Sequence, residues 1–174
     1  MRVYVPATIR MLHALVADRE VAAVNGTAFA VTPALREAYS TGDDDELAEV
    51  AMAEAARASL RLLASEDADE AHVHDSEGRP LRRRAVIAAD VDGVRLRPDL
   101  DDAVVRLAEP IEYGQVASVH MDLASAEDAV TKAMAVVDAA DLGDADAEFV
   151  LGDAEDHELA WYAAQELPFL LELF

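Results

Sequence analysis

The chain has 174 residues, 53% of them hydrophobic, and no cysteine. That is enough apolar material for the core of one domain, and it excludes disulfides, thiolate metal sites and a cysteine nucleophile. Thirty-six acids against fourteen bases give a net charge of −22, a field that repels nucleic-acid phosphate and anionic lipid. Mean hydropathy is close to zero. No run nears the ~20 apolar residues of a membrane helix, and Met1–Pro6 lacks the apolar stretch of a signal peptide. The expected setting is the cytoplasm, with no nucleic acid or membrane as partner. The charge is uneven: residues 1–106 hold 20 acids and 13 Arg, whereas residues 107–174 hold 16 acids and one base, Lys132. Such acidity suits cations or basic protein surfaces. It is also what a GC-rich genome, a salt-adapted proteome or selection for solubility writes.

In chain order, Arg2–Val5 reads as a strand ended by Pro6. Thr8 then caps a helix over Ile9–Ala17, with Ile9, Leu12 and Val16 at helical spacing. Val21–Val24 and Ala28–Val31 flank the turn dipeptide Asn25-Gly26 and suit a hairpin. Thr32-Pro33 is an N-cap followed by proline at the first helical position, opening a short helix over Ala34–Tyr39. Gly42 separates it from the clearest helix, which starts in Asp43-Asp44-Asp45-Glu46 and runs to Ala64. Leu47, Ala51, Ala55, Ala58 and Leu62 form its stripe. Acids at its front and Arg57 and Arg61 toward its back complement the helix dipole, so the Asp run needs no bound cation to explain it.

Residues 65–80 read as a polar loop containing His72-Val73-His74. Ala85–Val91 is nearly continuous apolar, as in a central strand. Asp92-Gly93 and the alternating Val94–Arg97 predict a hairpin with it, stopped by Pro98. Val104–Leu107 and Val116–Met121 are further strands. Ser125 is expected to cap a helix buried through Val130, Met134 and Val137. Residues 138–158 carry nine acids and no base. A last helix is expected over Glu155–Glu166, with Leu159, Tyr162 and Ala163 on one side and Pro168 ending it. The tail Phe169–Phe174 is too apolar to hang free; it docks on its own core or, the preferred reading, across a subunit boundary. The order of elements predicts one α+β domain over 1–174. An antiparallel or mixed sheet with helices mainly on one face is the simplest arrangement, and a ferredoxin-like variant is the runner-up.

The chemistry-bearing motifs are sparse. There is no glycine-rich phosphate loop and no Gly-x-Ser-x-Gly elbow, so no cofactor is expected. Ser118 and His120, two apart on a strand, share a face. His72 and His74 beside Asp75 have a spacing that could chelate a divalent ion from extended chain. Glu155, His157 and Glu158 form a second metal candidate, although the second histidine of a zinc-protease motif would fall at Trp161. Arg79, Arg82, Arg83 and Arg84 are expected to pair with the protein's own acids. Trp161 and Tyr162 divide between core and surface.

Four segments carry a resemblance: Met1–Thr8, Ala30–Arg36, Glu54–Leu60 and Glu155–Tyr162. Together they resemble a family of uncharacterised small acidic proteins from high-GC actinobacteria. The resemblance implies a cytoplasmic bacterial protein and supplies no activity or site residue. Two functional classes follow. The preferred one is a non-enzymatic accessory or regulatory protein that binds a protein partner, or a second copy of itself, through its acidic surface and its apolar C-terminal region. Its interface candidates are Trp161, Tyr162, Phe169, Leu170, Leu173 and Phe174. The alternative is a metal-binding protein or metal-dependent enzyme built on carboxylates and His157.

Overall fold

A computed structural model describes all 174 residues. Its centre is strand β1 (Arg2–Ala7), which pairs residue for residue with β4 (Ala85–Asp90), from Arg2↔Asp90 to Ala7↔Ala85. Outward from β4 lie β8 (Val116–Met121) and β9 (Ala160–Ala163). Outward from β1 lie β3 (Thr27–Phe29), β6 (Val104–Leu107) and β5 (Val94–Leu96). Every pair in this seven-stranded sheet is antiparallel. A second, two-stranded sheet joins β2 (Glu20–Val21) to β7 (Ile111–Glu112).

Pro6 does not end β1 but sits inside it. The Val91 N–H donates to the Met1 carbonyl at 3.0 Å. Main-chain groups alternate sides along a strand, so odd residues of β1 face β4 and Pro6 faces the β3 side. Pairing with β3 is confined to Tyr4↔Phe29, so the missing N–H of proline breaks no ladder bond.

The helices are α1 (Ile9–Asp18), α2 (Pro33–Ala38), α3 (Asp44–Ala68), α4 (Glu127–Asp141), α5 (Ala145–Glu155) and α6 (Leu167–Leu171). Two N-caps are those the sequence predicts, Thr8 accepting from Met11 and Thr32 from Leu35, and in the acidic run that opens α3 it is Asp43 that accepts from Glu46. Most helical residues gather on one face of the sheet. There α3 and α2 pack through Leu35, Leu47, Ala51, Ala55 and Ala56 onto Phe29, Val86 and Val104. The hairpin of α4 and α5 packs on the back half of α3 through Leu60, Leu63, Val130, Val137 and Leu151. The opposite face, built from Val3, Val5, Ile87 and Val119, is covered by α1 and α6. The result is the expected α+β fold. It contains β3–α3–β4 wrapped around β1, a split β-α-β unit, but its seven strands and helices on both faces are not the ferredoxin-like arrangement.

Both expected hairpins are replaced by longer-range pairing. Asn25 and Gly26 do take positive φ (57° and 67°), but they form a 3-10 turn, and β3 pairs with β1 and β6 instead of β2. A Cβ at Gly26 would meet the Leu107 carbonyl oxygen at 3.0 Å. Likewise β5 pairs with β6, not β4. The continuous apolar strand β4 takes long partners on both sides, β1 and β8, while short, Arg-bearing β5 suits an outer edge. Ser125 does not cap α4. A 3-10 turn over Ala124–Ala126 precedes the helix, no side chain caps it, and Glu127 and Asp128 meet its dipole.

The largest correction is at the C-terminus. Residues Glu155–Glu166 are not a helix: α5 ends at Glu155, and Ala160–Ala163 form the edge strand β9. The helical spacing of Leu159, Tyr162 and Ala163 is coincidental, and the β-forming Trp161-Tyr162 pair decides the local structure. Pro168 lies in the first turn of α6 rather than closing a helix. The tail docks on its own chain: Leu167, Leu170 and Leu171 are buried in the core that holds Leu12 and Leu15.

One ion pair binds these layers. Arg84 and Asp122, 3% and 0% exposed, make a bidentate contact at 2.8–2.9 Å. The same carboxylate accepts the Arg84 N–H at 2.8 Å, and the guanidinium donates onward to the His157 carbonyl at 2.8 Å. Asp122→Ala strands a buried cation and should lower stability by about 3–5 kcal/mol in chemical denaturation. Asp90→Ala, at the exposed Arg2 pair, should cost no more than about 1 kcal/mol. Equal losses for the two variants would contradict this ranking.

Candidate functional site

A cleft of about 700 Å³ opens between the sheet and the front half of α3. Small side chains create it. Ala48, Ala53 and Ala56 of α3 lie above Ala88 of β4 and Ser118 of β8, where larger residues would close the gap. The floor follows the sheet register. Tyr4, Ala88 and Ser118 are successive cross-strand neighbours, and His120 lies next to Trp161. The loop after α5 contributes Glu155, His157, Glu158 and Leu159, and α3 adds Glu49 and Met52.

The electrostatics of the cleft are set by what is already paired. Arg2 is held by Asp90 at 2.8 and 3.1 Å, and Arg84 by Asp122. Glu155 lies 4.0 Å from Arg57. Glu49 and Glu158 are exposed, and no cation of the chain bonds them. The free charge of the cleft is therefore negative. Trp161, 62% exposed, stands at its mouth. Burial holds the Tyr4 phenol above its ordinary range, so it stays protonated.

Ser118 and His120 meet, as their shared face predicts: Ser118 Oγ lies 2.9 Å from His120 Nε2. A bulge places Ala117 out of register beside them, since Ala88 pairs with Ser118 and Ala89 with Val116. Burial, and then the charge of Arg2, push the His120 imidazole below its ordinary pKa. A neutral imidazole can accept the Ser118 proton. A nucleophilic triad also needs a group orienting the far ring nitrogen and donors for an oxyanion. The chain bonds no carboxylate to His120, and the Ser118 main-chain groups are directed at β4 and paired there.

The remaining candidates fall into separate groups. His72 and His74 stack on each other at 4.7 Å in the loop after α3, with His72 Nδ1 3.5 Å from Asp67. Glu155, His157 and Glu158 share the loop that lines the cleft, and His157 offers its carbonyl to Arg84. No group of three or more His, Asp or Glu side chains is placed to hold a metal ion. The arginine cluster pairs internally throughout: Arg79 with Asp75 and Glu77, Arg82 with Asp67, Arg83 with Glu127 and Arg84 with Asp122. Strand alternation sends Trp161 to the cleft and Tyr162 to the α1–α6 core. Phe169 and Leu173, 71% and 78% exposed, belong to the α6 end on that other face. Leu170 is buried, and Phe174 lies under the Arg83 guanidinium at 4.6 Å. Tyr4, Glu49 and Met52 were not legible as site residues. The available signal was the alanine-rich flank of α3, which leaves space wherever the sheet beneath is also small.

His120 gives the cleft a titration signature. The unfolded imidazole takes its proton near about 6.5, the folded one only at lower pH. Below about 6.5 the unfolded state binds more protons, so this residue's contribution to stability is lost as pH falls. Burial raises the folded pKa of Glu54 and Glu66, which act in the opposite sense. Comparing wild type with His120→Asn cancels them. The variant should lose less melting temperature between pH 7 and pH 5; parallel curves would refute a buried neutral His120.

No helix is long and apolar enough to cross a membrane. No curated protein and no solved structure matches the chain. Residues 1–171 match the Family of unknown function (DUF6912), and the chain belongs to that family.

Proposed function

We propose that this protein is a cytoplasmic accessory protein that binds a basic segment of a partner protein in the cleft beneath α3. The observation that carries the reading is the cleft's charge state. Both of its arginines are consumed by internal aspartates, while Glu49 and Glu158 stand unpaired beside an exposed tryptophan. An arginine or lysine side chain entering there gains carboxylates and an aromatic face together. The surrounding acids of residues 138–158 favour approach of the same sign of partner. A binding role also suits Ser118 and His120, which present a polar floor without the further groups that acyl transfer needs.

Trp161 is the sole tryptophan, so fluorescence excited selectively at tryptophan reports on the cleft mouth alone. Titration with a hexapeptide of alternating Arg and Thr should give a saturable change in emission that weakens with added salt. The Glu counterpart should give none. Replacing Glu49 and Glu158 together by Gln should weaken binding about tenfold, a loss of about 1.4 kcal/mol. Absence of saturation with the Arg peptide, or an equal response to the Glu peptide, would overturn the proposal.

A further inference from the structure

The main chain at the cleft mouth is as informative as its side chains. The Asp122 N–H donates to the Arg84 carbonyl at 3.0 Å. Because main-chain groups alternate sides along a strand, Ser118, His120 and Asp122 direct theirs toward β4. Val119 and Met121 direct theirs toward β9. Their cross-strand partners are Tyr162 and Ala160. Trp161 and Ala163 therefore face outward, away from the sheet. The Ala163 N–H is covered by the chain's own Glu166 carboxylate at 2.8 Å. Nothing covers Trp161: its N–H and C=O have no partner in the chain, and its side chain is exposed. Sheet edges are normally blunted by charge, bulges or cover. This edge is blunted at Ala163 and left open one pair earlier, where the cleft begins.

We infer that the bound segment is an extended basic peptide that joins the sheet as an eighth strand, antiparallel to β9 and centred on Trp161. This rests on the proposed binding of a basic segment and specifies its geometry. In an antiparallel pair, the residue opposite Trp161 exchanges both N–H···O bonds with it, and its side chain falls on the same face of the sheet. That face is the cleft. The residue that hydrogen-bonds the edge is thus the one that sends its basic side chain toward Glu49 and Glu158. The next residue on either side points to the far face and needs no charge. Recognition is an alternating pattern, basic then neutral, with main-chain bonds supplying attraction and the cleft selecting the side chain.

Two N-methylated forms of the Arg/Thr hexapeptide test this. One carries the methyl groups on the Arg nitrogens, the other on the Thr nitrogens. Methylating Arg should weaken binding at least tenfold, and methylating Thr should leave it within about threefold. The Trp161 amide should gain protection from hydrogen exchange with the parent peptide. If both methylated forms bind as the parent does, or both weaken alike, or the Trp161 amide stays unprotected, strand addition is wrong. In that case binding of the parent peptide leaves the cleft reading standing. If the parent itself does not bind, both proposals fall.

Discussion

Arg84 lies at the head of β4, in the most basic stretch of the chain, and Asp122 follows β8 in the acidic part. Their buried contact closes the register of the two strands and reaches a third element through the His157 carbonyl. Burying such a pair is tolerable only when its remaining donors and acceptors are met. Here the carboxylate takes a main-chain N–H as well as the guanidinium, and the guanidinium takes a carbonyl from the loop after α5. That loop supplies one wall of the cleft and the approach to β9. The position of the cleft wall therefore depends on an ion pair as well as on the packing of Leu159 against the core under α3.

The same logic governs the charge asymmetry. Arg57, Arg61, Arg83 and Arg84 of the first part meet acids of the second in space. Arg57 contacts Asp141 and Glu148, Arg61 contacts Asp141, and Arg83 contacts Glu127. Side-chain bonding to Arg61 and Arg57 holds the Asp141 carboxyl below its ordinary range, and Arg57 does the same for Glu148. These bridges fasten the α4–α5 hairpin to α3. They occupy Arg57, Arg61 and Arg83, and the one base of the C-terminal part, Lys132, makes no ion pair, so most acids of that part have no counter-charge. The strongly negative surface is what is left after internal pairing.

Local signals in the sequence were reliable where one residue type has one physical use. Thr8 and Thr32 cap helices because their side chains reach the free N–H groups of a first turn, and each does so. Val104–Leu107 and Val116–Met121 were legible as strands from apolar β-branched runs. Pairing was not legible. Neither Asn25-Gly26 nor Asp92-Gly93 closes the expected hairpin: β3 joins β1 and β6, and β5 joins the following strand β6, because the central strand β4 takes the long apolar strands β1 and β8 wherever they lie in sequence. The helix α5 was not legible, because the acids of 138–158 mask its short apolar stripe, and the helix expected from Glu155 onward is the strand of Trp161 and Tyr162. The cleft was the least visible feature, since it consists of what alanines leave empty.

The account makes the cleft and the open edge beside it the working surface, not the acidic surface at large. A backbone amide chemical-shift map of labelled protein, taken through a titration with the Arg/Thr hexapeptide, separates the two most directly. The account predicts shifts confined to β8, β9, residues 156–159 and the front half of α3. Shifts spread over the acids of the α4–α5 hairpin, with β9 unmoved, would contradict it.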